Sequence, residues 1–312
     1  MTGENIPGND SVNSLTTGRA RANLVFIILA VAFASLFYRI MVIKRLEQTS
    51  LLFIGIPTVL AVVTALTPKA KSVTGSILKA TTIGLLMSGI LLGEGFICIL
   101  MAAPIFYLVG VVVGIVMDAS KPKNKPTALS CLVVFVLAPM SIEGTRPALS
   151  FPREESVAAE RVVSASSADV EQALSASPRV DLPLPLYLRL GFPRPVEAQG
   201  GGLRPGDLRR IHFAGGEGAP GDLVLEVAEA APGRVRFRAI SDRSKIAHWL
   251  AWESCDVEWS AVDAAHTRVV WTLRFRRSLD PAWYFRAWER YGVRLAAEHL
   301  IRANATPSSR AR

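Results

Sequence analysis

Residues 267–304 read TRVVWTLRFRRSLDPAWYFRAWERYGVRLAAEHLIRAN, and two periods meet inside them. From Thr267 to Arg276 apolar and charged residues alternate. Val269, Trp271, Leu273 and Phe275 fall on one side, and Arg268, Arg274 and Arg276 on the other. Alternation with a period of two marks a strand with one buried face. Asp280-Pro281 then breaks the pattern, an acid suited to cap a helix followed by a proline that fits its first turn. From there to about Asn304, Tyr284, Trp288, Tyr291, Leu295 and His299 recur at spacings of four and three, with Phe285 and Ala296 beside them. That spacing predicts a long helix with this stripe buried. An apolar strand face and an apolar helix stripe so close in sequence predict that one covers the other.

The same period of two runs upstream through Asp207–Phe213, Asp222–Ala230, Gly233–Ser241 and Trp252–Ala261, with turns rich in Gly and Pro at 215–221 and 231–233. One face collects Ile211, Phe213, Leu223, Leu225, Val227, Val235 and Phe237, the other Arg210, His212, Glu226, Arg234, Arg236 and Arg238. Consecutive strands with one polar face make an antiparallel sheet, wet on one side. Its arginine stripe reads as a solvated, salt-bridged surface, because Glu226, Glu253, Asp256 and Glu258 interleave with it. Ser156–Ala165 reads as a further strand. Ser166-Ser167-Ala168-Asp169-Val170-Glu171 is an N-capping pattern opening a helix to about Ala176. Residues 178–195 hold five prolines and read as an apolar loop with one short helix. The glycine clusters at 200–202 and 215–221 lead into no helix and lack Gly-Lys-Ser/Thr, so they are hairpin turns and not phosphate loops.

The order strand, helix, loop, sheet and long final helix resembles the START-like helix-grip superfamily (SRPBCC), of the polyketide cyclase/dehydrase and lipid-transfer type. The matching strings are Val163-Ser164-Ala165-Ser166-Ser167-Ala168-Asp169-Val170, Gly206-Asp207-Leu208-Arg209, Trp252-Glu253-Ser254-Cys255-Asp256-Val257-Glu258-Trp259 and His266-Thr267-Arg268-Val269-Val270-Trp271. The resemblance implies an α+β helix-grip domain over 156–304, its antiparallel sheet wrapped around the C-terminal helix. Between them it implies a cavity for an apolar ligand, lined by Phe213, Phe237, Trp271, Phe275, Tyr284, Trp288, Tyr291 and Leu295. The superfamily has no single catalytic motif. Binding of a lipid or an isoprenoid- or polyketide-like molecule is therefore the first expectation. A cyclase or dehydratase using the same cavity is the second, and a filled module that docks a protein partner the third.

Catalytic candidates are few. His299 falls on the helix stripe, and His248 lies in the connection into the Trp252 strand, where it could line the cavity mouth. His212 and His266 read as outer-face and turn residues. Four scattered histidines and a lone Cys255 form no metal-ligand spacing and no nucleophile–base pair, and nothing calls for a cofactor.

The first 150 residues are a different material. All six Met and seven of the eight Lys lie there, whereas all six Trp lie after it. Of the net charge of +9, +6 belongs to residues 1–150 and +3 to the rest. That basic surplus flanks apolar runs, so it argues for a membrane and against nucleic acid. Half of the 312 residues are apolar, which excludes a disordered chain, and three cysteines exclude a disulfide scaffold. After a polar tail at 1–21, runs at 24–43, 51–67, 77–92, 96–117 and 127–142 predict an all-α transmembrane bundle of about five spans. Lys/Arg counting places the N-terminus in the cytoplasm and, with five spans, the second half on the outer side. Glu94 is the intramembrane polar candidate, either functional or a turn residue between Gly93 and Gly95. Residues 146–155 read as a linker and 305–312 as a tail. The expected partners are a lipid bilayer and a hydrophobic small molecule or lipid.

Overall fold

A computed structural model describes residues 8–38, 54–92, 96–119, 142–143, 145–190, 192–214 and 220–306. The chain divides into two compact units, Met1–Leu137 and Ala138–Arg312.

The first unit contains α1 (Gly8–Tyr38), α2 (Ile56–Leu66), α3 (Val73–Leu92) and α4 (Phe96–Ala119). Among the described residues, three stretches are long and apolar enough to cross a membrane: Gly18–Phe37, Val73–Leu91 and Cys98–Ala119. Of the five expected spans, the first, third and fourth have candidates among the described residues, and the second is corrected. Among the described residues of the run at 51–67, α2 is eleven residues long, with Pro57 in its first turn, and ends before Pro68. Eleven residues rise about 17 Å, short of a ~30 Å hydrocarbon core. The run at 127–142 lies outside the described residues except Ile142, and so does Glu94. Upstream, α1 starts at Gly8, so helix replaces most of the expected irregular tail.

Small residues and capping groups hold these helices together. Gly110 and Gly114 of α4 lie one turn apart against α3, and a Cβ on Gly114 would come within 2.6 Å of Thr74 Cα. Close backbone approach through small residues is how apolar helices associate where burial of oil against oil gains little. The Asp118 carboxylate of α4 accepts the Val73 and Thr74 backbone N–H groups at 2.9 and 3.0 Å and so caps α3. Lys79 donates to the Ala65 and Thr67 carbonyls at the end of α2. Phe26, Phe33, Val59, Val63 and Phe106 point outward, leaving an apolar exterior.

The second unit is a seven-stranded antiparallel sheet with three helices. In chain order these are β1 (Glu154–Val163), α5 (Ser167–Ser175), α6 (Leu186–Arg189), β2 (Arg194–Gln199), β3 (Leu208–Ala214), β4 (Gly221–Ala231), β5 (Arg234–Asp242), β6 (Leu250–Ala261), β7 (Thr267–Arg277) and α7 (Ala282–Asn304). Strand order is β1-β7-β6-β5-β4-β3-β2. Each local signal acts as its chemistry dictates. Ser166 and Asp169 form the reciprocal capping box that starts α5. The outer face carries the expected ion pairs: Arg268 with Glu160, Arg238 with Glu226, and Arg236 with Asp256 and Glu229. The inner face packs Val157, Val227, Val235, Phe237, Val257, Trp271 and Phe275 into one core. β2 is an addition. Its Pro195 removes a donor, which is tolerated because β2 is an edge strand.

Candidate functional site

The site is built where α7 meets the inner face. α7 packs against β1 and β7, and the residues that make this seam are mostly small: Ala282, Val293, Ala297 and Ile301 are buried. The stripe expected from the sequence is therefore turned off the seam with β1 and β7. Tyr284, Trp288 and Leu295 are half-buried, and Tyr291 is 51% exposed. Tyr291 instead stacks edge-on against Tyr187 of α6, with ring centroids 5.1 Å apart. The same Tyr187 meets Phe192, which in turn meets Trp249, so an aromatic row runs from α7 across α6 to the entry of β6. Close seating explains the rotation, since alanine and valine bring the helix axis nearer to the strands than Trp or Tyr would. Of the expected lining, Phe237, Trp271 and Phe275 are fully buried core, while Phe213 on β3 is half-buried, as are its neighbours Ile211 and Leu225.

The polar groups inside the sheet domain differ from those singled out in the sequence. His299 is buried near the end of α7, and burial, with Arg302 adding repulsion, pushes its imidazole pKa down, so it is neutral at pH 7. His248 is exposed in a 3₁₀ turn, Lys245–His248. The strand order puts that turn at the end of the sheet where α7 begins. His299 lies seventeen positions along the helix, about 25 Å away, and the two cannot share a substrate atom. His212 pairs with Asp222 at 2.6 Å and His266 with Asp263 at 2.9 Å, both outside the core.

Three buried groups went unrecognised in the sequence. Arg209 is 4% exposed, donates to the Leu174 and Gly202 carbonyls, and lies 4.4 Å over the Phe237 ring. Burial lowers its pKa to about 10, partly offset by Cys255 and Asp207. Its parity with Ile211 and Phe213 was the available signal. Cys255, beside it, has its thiol pushed up to about 12 by burial. Glu289, on the sheet side of α7, has no hydrogen-bond partner at normal geometry for either oxygen. Burial raises its carboxyl to about 7, against the lowering pull of Arg277 and the Leu279 backbone N–H and with Glu155 and Asp280 adding to the rise.

Arg277 closes this end of the sheet domain. It is fully buried and donates to the Pro152, Phe151 and Leu279 carbonyls, to Asp280 at 2.8 Å and to Glu143 at 3.2 Å. The other Glu143 oxygen accepts the Ala282 N–H at 2.9 Å. Asp280, expected to cap α7, instead binds Arg153 and Arg277, and Glu143 caps the helix in its place. The stretch 146–155, expected to be a linker, is thus tied into the domain. At the opposite end an open groove of about 930 Å³ runs between α5 and the β4–β5 hairpin, with Gln172, Ser175, Asp207, Arg234 and Trp259 among its walls. Its polar, charged lining separates it from the apolar cavity expected under α7.

No protein-family model matches the sequence, and no curated protein is significantly similar to it. Solved structures that align with it include a norcoclaurine synthase point mutant from Thalictrum flavum, at 12% identity over 49% of this chain and 92% of that one, with a TM-score of 0.34. The Aha1 dimer of Colwellia psychrerythraea aligns at 16% identity, 50% and 99% coverage and a TM-score of 0.31. Major latex-like protein 151 of Panax ginseng aligns at 9% identity, 48% and 98% coverage and a TM-score of 0.31. The helix-grip architecture of residues 154–304 rests on this chain's own strand order and its final helix.

Proposed function

We propose that this chain is a membrane-anchored helix-grip protein that holds a hydrophobic ligand, a lipid or an isoprenoid- or polyketide-like molecule. The observation that carries the reading is the rotation of α7. Its small residues occupy the seam on β1 and β7, which leaves Tyr284, Trp288 and Leu295 half-buried while Ile211, Phe213 and Leu225 of the inner face are half-buried too. Apolar side chains left so on both elements suit a site completed by a ligand better than a fully packed module. Recognition there is by shape and desolvation, with Tyr and Trp polar atoms orienting the bound molecule. The three long apolar helices supply the anchor.

Organic extraction and mass spectrometry of the purified full chain test this reading. The expected result is one apolar compound at near one-to-one stoichiometry, lost when Phe213 and Leu295 are both changed to Arg in a protein that still melts cooperatively. Equal recovery from both proteins, or none from the parent, overturns it. An enzymatic reading has one observation in its favour, the Glu289 carboxyl near neutrality on the sheet side of α7. Turnover of the extracted compound that is abolished by Glu289→Gln would select it. A reporter fused after Arg312 reads the side of the membrane.

A further inference from the structure

We propose that the end of the sheet domain that carries Glu143 rests on an anionic bilayer surface. This depends on the membrane anchorage proposed above, and it adds which face of the domain meets lipid. The antiparallel order brings the segment entering β1, the β5–β6 connection and the turn from β7 into α7 to one end of the sheet. Three apolar side chains stand out from that end, Leu149, Phe151 at 62% exposure and Trp283 at 57%. Arg146 and Arg243 are exposed there and Lys245 is half-exposed. Of the carboxylates at this end, Glu154 is exposed and three others are engaged. Glu143 and Asp280 are held by Arg277 and Arg153, and Asp242 accepts the Ser244 N–H. Apart from Glu154, what faces outward is apolar, aromatic and cationic, the pairing that suits a headgroup region.

Chain continuity names the occupant. The apolar run ending at Ile142 is followed directly by Glu143, whose two oxygens bind Arg277 and the first N–H of α7. No slack separates the end of that run from the start of the final helix. If the run lies in lipid, the first turn of α7 and the Leu149–Phe151 segment are held within a few ångströms of the headgroups.

The test is hydrogen–deuterium exchange of the full chain in nanodiscs of phosphatidylcholine, with and without phosphatidylglycerol. Amides of 145–153 and 243–249 should exchange about fivefold more slowly with the anionic lipid, a change on the scale of one or two surface cations. Those of 200–207 and 231–234, at the opposite end, should not change. The double variant Arg243→Glu, Lys245→Glu should erase the difference. Equal rates in both lipids overturn the proposal. So does slowing reproduced by inorganic phosphate on the detergent-solubilised protein, which would make this a free-anion site. Slowing that tracks the number of copies per disc, the sign of a second chain as partner, overturns it as well. Protein stripped from membranes by alkaline carbonate would sink the anchorage itself, whereas embedded protein with fast-exchanging loops sinks the docking alone.

Discussion

Arg277, the last residue of β7, and Arg209, near the start of β3, are both buried in one sheet, at opposite ends of it. Arg277 meets two carboxylates and three carbonyls, and those partners come from Glu143, the 151–152 segment and the β7–α7 turn. Arg209 has no carboxylate within ion-pair distance among the described residues, only two carbonyls and a ring face. The first end is therefore held by charge compensation between segments far apart in sequence. The second carries a cation compensated only by dipoles: the Leu174 carbonyl belongs to the last turn of α5, whose dipole favours positive charge. Two buried arginines at the same depth thus do unequal work, and burial alone does not reveal which is which.

Mutation and titration can break this contrast. The largest effect should come from Arg277→Met, which strands Glu143 and Asp280. We expect a loss of about 3–5 kcal/mol in denaturant unfolding of the sheet domain within the full chain. If Arg209→Met costs as much, the two ends are equivalent and the contrast fails. Next comes Glu289. Its carboxyl titrates near 7 when folded and near the ordinary 4.5 when unfolded, so between those values the folded state binds the extra proton. Stability is then fully present below about 4.5 and declines as pH rises to about 7, by up to about 3 kcal/mol. Melts at pH 5 and 8 should show the decline in the parent and a much flatter profile in Glu289→Gln. Glu143→Gln keeps the shape but weakens both the pair and the cap, for a loss of about 1–2 kcal/mol. An unchanged melting temperature would mean that Glu143 leaves the clasp in solution. The smallest change is expected for Arg209→Met, within about 1 kcal/mol, because the buried charge is removed along with its two hydrogen bonds.

Much of the sheet was legible from residue order. Alternation located β3 to β7, Ser166 with Asp169 announced α5, and Pro281 marked the start of α7 to within a residue. β2 escaped because RPVEAQ does not alternate and contains a proline, and an edge strand gets its pattern from one neighbour only. The phase of α7 was misread for a reason that generalises. Both of its flanks are apolar, and large residues weigh more in a periodicity argument than alanines do. The seam belongs to Ala282, Val293 and Ala297 because they allow close approach, while Tyr291 finds Tyr187, a residue more than a hundred positions earlier. In the first unit, hydrophobic length overstated one span, since α2 ends before Pro68.

By itself the sequence determined what is set by neighbours along the chain: the change of material near residue 150, the strand faces, the caps and the final helix. These follow from period, side-chain polarity and backbone restrictions that act within a few residues. Only the tertiary structure decided which face of α7 meets the sheet, that Glu143 rather than Asp280 caps it, and that Arg209 and Glu289 are buried without a matching counter-charge. Those facts depend on contacts between separate elements, from Arg209 with Leu174, 35 positions apart, to Ala282 with Glu143, 139 apart, where the cost of burying a charge is offset, or left standing, by groups that no local pattern names.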